Sequence, residues 1–221
     1  MDQVIMESLL VVIVLLPLIA ALIAGIGGPW IGRGGAHWVT SGAVGISTLL
    51  SCWVLGALVW GALEPIDITL YTWAAVGDFS FAIGFLVDRL TALMMATVTF
   101  VALMVHIYTI GYMHDDPGYQ RFFSYIALFT FAMLMLVMAN NLLQLFFAWE
   151  AVGLVSYLLI GFWFTRESAI FANLKAFLVN RLGDLGLLLG IAVLAGAYGT
   201  LHYAELFAAI EQSAQPTLNL F

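Results

Sequence analysis

The chain has 221 residues, of which 64% are hydrophobic and only 9% are charged. A soluble domain is about half apolar and about one quarter charged, so this composition excludes a soluble globular protein and indicates a polytopic membrane protein in a lipid bilayer. The net charge of −7 and the lack of a basic cluster argue against nucleic acid as a partner. The single cysteine, Cys52, excludes an internal disulfide, and the sequence contains no metal-binding motif, catalytic nucleophile motif or cofactor-binding loop.

Six apolar segments are each long enough to cross a bilayer, which takes about 20 residues. They lie at residues 9–27, 39–60, 83–110, 122–139, 142–164 and 170–198. The first follows Asp2 and Glu7 with no basic flank, so we interpret it as a retained span and not as a cleavable signal peptide. No low-complexity linker divides the chain. We therefore predict one transmembrane domain over residues 1–221, an all-α membrane protein built as a polytopic helix bundle.

The basic residues between the spans predict the orientation of the chain. Arg33, Arg121 and Arg166 follow the first, third and fifth spans, whereas the other connections carry no Lys or Arg. Arg89, just inside the third span, is the exception. Loops that are rich in Lys and Arg stay in the cytoplasm, so the N-terminus is predicted on the outer side.

The connection at residues 61–82 has two alternating stretches, "IDITLYTW" and "FSFAI", on either side of a Gly77-Asp78 turn signal. This pattern is typical of a β-hairpin on the outer surface, and an irregular loop is the alternative. Asp88 and Arg89, which follow it, suit interfacial anchors or a local ion pair. Near the C-terminus, "TLHYAELFAAIEQ" predicts a short interfacial helix with Thr200 as its N-cap.

Charged residues lie deep inside the last two spans. At a rise of 1.5 Å per residue, Glu150 lies about 21 Å from the cytoplasmic end of the fifth span. On the sixth span, Lys175, Arg181 and Asp184 lie about 8, 17 and 21 Å from the same side. Glu150 is therefore predicted level with Arg181 and Asp184, which are three residues apart and share a helix face. Lys175 is nine residues from Asp184 and is predicted on the opposite face.

Each such charge costs about 2.5–3.5 kcal/mol at the bilayer centre, so these side chains need partners or water. A static ion-pair network that fixes helix packing is one interpretation, especially for Arg181 and Asp184. A proton path is the other, because ionisable groups in the membrane typically mark one. Burial raises a carboxyl pKa and lowers that of a lysine, and an opposite charge reverses both trends. Glu150 beside a lysine that can approach or retreat is therefore predicted to bind or release a proton near neutral pH.

Two histidines extend the set of candidates. His106 lies near the cytoplasmic end of the third span, and imidazole titrates near neutrality, so it is a candidate proton relay or, alternatively, a packing residue. His114 with Asp115 and Asp116 is a candidate cation site or an exposed loop.

Three stretches resemble one family closely: "HIYTIGYMHDDPGYQRFFSYIALFTFAMLMLV", "NNLLQLFFAWEAVGLVSYLLIGFW" and "ANLKAFLVNRLGDLGLLLGI". They resemble the subunit L (mitochondrial subunit 5) type of proton-translocating subunit in NADH–quinone oxidoreductase, respiratory complex I. The same family includes the large subunits of multisubunit sodium/proton antiporters, and "GYMHDDPGYQRFF" is more similar to the complex I branch.

The resemblance implies a membrane-arm subunit that moves protons while other subunits reduce quinone. Its partners would be other membrane-arm subunits, and FMN, iron–sulfur clusters and quinone would be bound elsewhere in the enzyme. The membrane would be the bacterial or mitochondrial inner membrane. The family's glutamate on the fifth span matches Glu150, and its charged residues on the sixth match Lys175, Arg181 and Asp184.

The resemblance also implies a longer protein. Family members have about fourteen core spans in two inverted repeats, including a broken seventh helix with a lysine that pairs with the glutamate. The six spans here correspond to the N-terminal part. Three functions therefore remain open: a proton-translocating subunit of a respiratory enzyme, a subunit of a cation/proton antiporter, and a structural or assembly fragment.

Overall fold

A computed structural model describes residues 3–76 and 79–218. Its elements in chain order are α1 (Gln3–Ile26), α2 (Gly28–Val59), β1 (Ile66–Val76), β2 (Phe79–Val87), α3 (Arg89–Tyr112), α4 (Tyr119–Val137), α5 (Leu142–Ile160), α6 (Glu167–Tyr198) and α7 (Tyr203–Leu218). Within the described ranges, α1 to α6 are long and apolar enough to cross a membrane. The predicted helix bundle with six candidate spans is confirmed.

The first four helices form the packed body of the bundle. α1 packs against α2 and α4, and α2 packs against α3. One apolar cluster, which includes Leu10, Leu58 and Phe85, joins the helices to the hairpin. A second cluster, which includes Phe123 and Phe162, lies at the opposite end. We call these the hairpin end and the arginine end, because Arg33 and Arg121 contact neighbouring loops at the latter.

α5 and α6 form the open side of the bundle. α5 packs on α4, and α6 packs mainly on α5. Only Asp184 and Ile191 are buried among the residues of α6, although the helix is as apolar as α5. Most of the surface of α6 therefore faces away from the described part of the chain.

The predicted start of the third span was wrong. Residues 83–87 belong to β2 and not to the third span, because Asp88 begins a new helix: its Oδ1 atom accepts a hydrogen bond from the Thr91 N–H at 2.7 Å. Strand and helix form one continuous apolar run here, so hydropathy alone does not separate them. Asp88 is thus a helix cap, which settles neither of the two roles predicted for it.

Arg33 does not lie in an open loop. α2 already begins at Gly28, and a single non-helical residue, Gly32 with φ 66° and ψ −174°, separates a short first segment from the long remainder. A positive φ is favourable only for glycine. Pro29 suits the first turn of a helix, where its missing N–H has no partner to lose. Arg33 directly follows this kink.

The hairpin predicted at residues 61–82 is confirmed. β1 and β2 pair antiparallel from Ile66 opposite Val87 to Val76 opposite Phe79, with irregular register near Thr69 and Thr72. The predicted turn at Gly77–Asp78 lies outside the described residues.

Two buried asparagines in the α4–α5 connection hold the hairpin on the bundle. Asn140 donates to the Asp67 carboxylate at 2.9 Å and to the Ile68 carbonyl at 3.2 Å. Asn141 donates to the Ala82 carbonyl at 3.0 Å. The Gly84 N–H donates to the Gln144 side chain at 2.9 Å. These bonds satisfy backbone groups of both strands that would otherwise be buried without a partner.

Gly84 is the tightest point of this docking. A Cβ atom here would overlap the Ile68 carbonyl oxygen and the Asn140 amide. We expect Gly84→Ala to destabilise the protein by about 1–3 kcal/mol, the usual cost of overpacking. The matched control is Gly42→Ala, since a methyl group there meets nothing within 4 Å and helical Gly→Ala is stabilising by about 0.5–1 kcal/mol. Thermal unfolding of the detergent-solubilised protein compares them, and equal midpoints would contradict the docking role.

The predicted C-terminal helix is confirmed as α7, but Thr200 is not its N-cap. Thr200 donates from its hydroxyl to Glu205 and accepts from the His202 N–H at 3.2 Å. The helix begins at Tyr203, and the His202 carbonyl accepts its first backbone bond, from Leu206. α7 is tied to the hairpin end, because Tyr203 N–H donates to the Asn140 carbonyl at 3.1 Å.

Candidate functional site

The candidate site lies between α5 and α6. Asn141 begins α5 by accepting the Gln144 N–H at 2.8 Å, which fixes the start of that helix. α6 carries Glu167 in its first turn and ends at Gly199, whose φ of 71° terminates it. Both helices are regular between these ends. The depths calculated for the charged residues from the helical rise of 1.5 Å per residue therefore apply.

Glu150 and Arg181 form a direct ion pair between the two helices. Arg181 also lies 3.4 Å from the Oδ2 atom of Asp184, one turn further along α6. The three side chains are mostly buried, with 22%, 34% and 11% of Glu150, Arg181 and Asp184 exposed. The predicted common depth of these groups is confirmed, and we call the three residues the ion cluster.

A fourth residue, Trp149, contacts the ion cluster and was not predicted. The indole N–H of Trp149 donates to the Asp184 Oδ1 atom at 2.8 Å, so each Asp184 oxygen has its own partner. The signal was available: Trp149 precedes Glu150, and an indole has a polar donor that needs a partner when buried. Arg181 is further held over the Phe177 ring at 4.8 Å from its centroid, a favourable cation–π contact.

A groove of about 750 Å³ opens beside the ion cluster. Trp149 and Asp184 lie in its wall, together with the small or polar residues Gly153, Ser156 and Asn180. The remaining wall of the groove is apolar, so the ion cluster lies at the polar part of a mostly apolar groove.

Lys175 does not join the ion cluster. It is exposed on α6, and no ion pair of Lys175 occurs among the described residues. This agrees with the prediction that α6 presents charge in two directions. The cation beside Glu150 is Arg181 and not a lysine.

His106 lies apart from the ion cluster, between α3 and α4. It is fully buried, its Nδ1 atom is 2.7 Å from the Ala102 carbonyl oxygen, and its ring lies 6.0 Å from Phe123. Its Nε2 atom is buried and has no hydrogen-bond partner in the described part of the chain. An apolar groove of about 410 Å³ borders it, and no residue of the ion cluster lines that groove.

The candidate cation site at His114, Asp115 and Asp116 divides into two parts. His114 and Asp115 contact each other at 2.9 Å on the exposed surface. Asp116 instead accepts the Trp163 indole N–H at 2.9 Å and the Gly118 N–H at 2.7 Å. The hydrogen bond from Trp163 is the main cause that lowers the pKa of Asp116. Asp116 thus stays ionised and joins two loops of the arginine end.

The ion cluster consists of one cation and the two carboxylates that it contacts. A guanidinium group placed between two carboxylates can pair with either one, and a carboxyl group can carry a proton. These side chains therefore have the chemistry for ion pairing and proton exchange.

Two family models match the chain. Residues 73–123 match a family described as NADH-ubiquinone oxidoreductase (complex I), chain 5 N-terminus. Residues 139–221 match a family described as NADH:quinone oxidoreductase/Mrp antiporter, TM, and this match includes the whole ion cluster.

Named relatives agree with these models. The chain is 58% identical over 216 residues to NADH-quinone oxidoreductase subunit L of Neisseria meningitidis serogroup B, covering 97% of this chain and 32% of the relative. It is 43% identical over 199 residues to NADH-ubiquinone oxidoreductase chain 5 of Chondrus crispus, covering 90% and 30%. The chain thus spans about a third of the length of the relatives that it matches.

Two solved structures share the fold. A chain of the membrane-bound sulfane sulfur reductase, an archaeal respiratory membrane complex, superposes with a TM-score of 0.76 at 20% identity, covering 89% of this chain and 39% of that one. A chain of the Mrp complex from Dietzia sp. superposes with a TM-score of 0.73 at 23% identity, covering 89% and 20%.

Proposed function

This chain belongs to the family of NADH-quinone oxidoreductase subunit L and NADH-ubiquinone oxidoreductase chain 5, and we propose that it moves protons as part of a membrane-arm subunit of such an enzyme. The chain carries no redox centre of its own in this proposal. FMN, iron–sulfur clusters and quinone are bound by other subunits, which reduce quinone and drive the protons. The membrane is the bacterial inner membrane or the mitochondrial inner membrane.

One observation carries the proposal: the ion pair between Glu150 and Arg181, with Asp184 as a second acceptor, inside a membrane bundle. Three ionisable groups at this depth are costly to bury and are usually retained for ion or proton movement. We propose that Glu150 binds a proton when Arg181 turns toward Asp184, and releases it when Arg181 returns.

Lys175 and His106 take separate roles in this proposal. Lys175, on the other face of α6, is available to exchange protons with groups outside the ion cluster. His106 has a buried Nε2 atom that a water molecule could satisfy, which suits a relay position near the arginine end. Because Lys175 and His106 lie apart from the ion cluster, we propose a proton path with several separate proton-exchanging groups.

The activity test compares a redox-driven pump with a sodium/proton antiporter. The intact complex that contains this chain is purified and reconstituted in vesicles. We expect NADH–quinone reductase activity to copurify with it and proton uptake to depend on NADH. Sodium-dependent proton exchange without NADH–quinone reductase activity would contradict the proposal and favour the antiporter.

We also propose that the arginine end faces the cytoplasm or matrix and that the N-terminus and hairpin face outward, as the basic residues predict. The prediction is tested with Arg33→Cys and Glu64→Cys in a Cys52→Ser background. A membrane-impermeant thiol reagent should label position 33 only from the inner side and position 64 only from the outer side. Labelling of position 33 from outside would reverse the assignment.

A further inference from the structure

We propose that the seam between α5 and α6 is the proton inlet of this chain, a water-bearing path from the arginine end to the ion cluster that the Tyr157–Phe177 aromatic pair closes. The inference rests on the proposed proton-translocating function. It assigns the side from which the ion cluster is filled and the two rings that control access.

The path begins in a cavity of about 210 Å³ at the arginine end, with a wall of both polar and apolar side chains. Arg121, Tyr125, Tyr157 and Asn173 contribute the polar groups of its wall. A water molecule occupies about 30 Å³ in the liquid, so the cavity has room for several. No carboxylate lines it, and the charged group at its wall is a cation. Metal cations such as Na⁺ prefer oxygen ligands with negative charge, so this wall suits water better than a metal ion.

Asn173 supplies the observation that points to a ligand. Its Oδ1 atom is buried and has no hydrogen-bond partner among the described residues. Its amide packs against Gly161 so closely that a Cβ atom at position 161 would overlap it. The glycine thus lets a polar amide lie against α5 at the cavity. A buried acceptor without a protein partner is a site where water binds favourably.

The seam continues as two facing stripes. On α6, Asn173, Phe177 and Arg181 follow each other at intervals of four residues, which places them on one helix face. On α5, Tyr157 and Glu150 lie seven residues apart, two turns along one face. Asn173 and Arg181 are therefore about 12 Å apart along the helix axis, and this short distance separates the cavity from the ion cluster.

Two aromatic rings occupy the middle of this distance. Tyr157 and Phe177 are in edge-to-face contact with centroids 5.2 Å apart, and Phe177 also supports Arg181 from below at 4.8 Å. Phe177 thus contacts both the wall of the cavity and the cation of the ion cluster. If Arg181 moves between Glu150 and Asp184, the ring that supports it must adjust, so the same movement that frees Glu150 loosens the aromatic closure.

Accessibility labelling of the intact enzyme tests the inlet. In a Cys52→Ser background, Asn173→Cys should react with a membrane-impermeant thiol reagent from the arginine end about tenfold faster than Leu174→Cys, which lies at the same depth on a different face of α6. Tenfold is the rate change that a barrier difference of about 1.4 kcal/mol produces. If Asn173→Cys disturbs folding, Leu158→Cys reports on the same cavity from its α5 wall. Equal labelling of the cavity and control positions would overturn the inlet.

The closure is tested by passive proton leak in vesicles without NADH. Phe177→Ala should raise the leak about tenfold, whereas Leu174→Ala, which shortens an exposed side chain on a different face of α6, should leave it unchanged. An unchanged leak in Phe177→Ala would overturn the closure.

Thiol labelling and passive proton leak measure access to the seam between α5 and α6, and they do not measure proton pumping. Labelled Asn173→Cys with unchanged pumping in a Glu150→Gln variant would refute the proposed function and keep the inlet. Protected Asn173→Cys with impaired pumping in Glu150→Gln would refute the inlet alone.

Discussion

Glu150→Gln is expected to leave the complex assembled and to lower the number of protons translocated per electron. Gln has nearly the volume of Glu, so the packing of α5 against α6 should survive. Its amide cannot bind and release a proton in the physiological range, so the proposed exchange step is lost. Proton uptake, quinone reduction and the abundance of the complex are measured in parallel in vesicles.

The structure gives the reason why assembly should survive. Arg181 has two carboxylate neighbours, Glu150 and Asp184. Neutralising Glu150 leaves Asp184 3.4 Å away as a counter-charge, and the Gln amide oxygen can still accept a hydrogen bond from the guanidinium group. The buried cation is therefore never without an acceptor, and the large cost of an unpaired buried charge is avoided.

Two control variants are measured in the same experiment. Glu167→Gln removes a carboxylate from the exposed first turn of α6 and should leave pumping unchanged. Glu150→Asp keeps the titratable group on a shorter side chain and should retain part of the activity. Normal pumping per electron in Glu150→Gln would eliminate the exchange role. A loss of assembled complex with normal turnover in what remains would instead support a static ion-pair network.

Helical rise alone predicted the ion cluster because both helices are regular over the relevant length. Counting 1.5 Å per residue inward from the arginine end brought Glu150 level with Arg181 and Asp184, and the ion pair confirms it. The same count separated Lys175, which is exposed on another face. The role of these residues as proton carriers stays a prediction.

Features that depend on side-chain direction and local capping were not predictable from hydropathy. Trp149 was treated as part of an apolar run, yet its N–H group completes the Asp184 environment. The third span was placed to start at residue 83 because β2 and α3 are equally apolar, and only the capping bond of Asp88 separates them. Asn140 and Asn141 were predicted only as a short loop between two spans. In the structure they hold the hairpin through hydrogen bonds to residues far away in the sequence.

Arg181→Gln is expected to lower the stability more than Glu150→Gln does and to reduce the amount of assembled complex strongly. Removing the guanidinium group leaves Glu150 and Asp184 as two mostly buried carboxylates without the cation that both contact. Breaking a buried ion pair by removing one partner costs about 3–5 kcal/mol, which is a large part of the stability of a typical fold. The two variants differ because Arg181 has two carboxylate partners, whereas both carboxylates depend on Arg181. Glu150→Gln therefore leaves the cation with a partner, and Arg181→Gln leaves both carboxylates without a cation.

A double substitution isolates this cause. If the unpaired carboxylate is what destabilises Arg181→Gln, then adding Glu150→Gln should restore part of the assembly, because one of the two uncompensated charges is removed. Arg181→Lys keeps the charge but loses the planar fork that reaches two acceptors, so it should assemble better than Arg181→Gln. Native gel electrophoresis and thermal unfolding of the solubilised complex give the measurement. If the double variant assembles no better than Arg181→Gln alone, the loss arises from missing packing against Phe177 and not from unpaired charge.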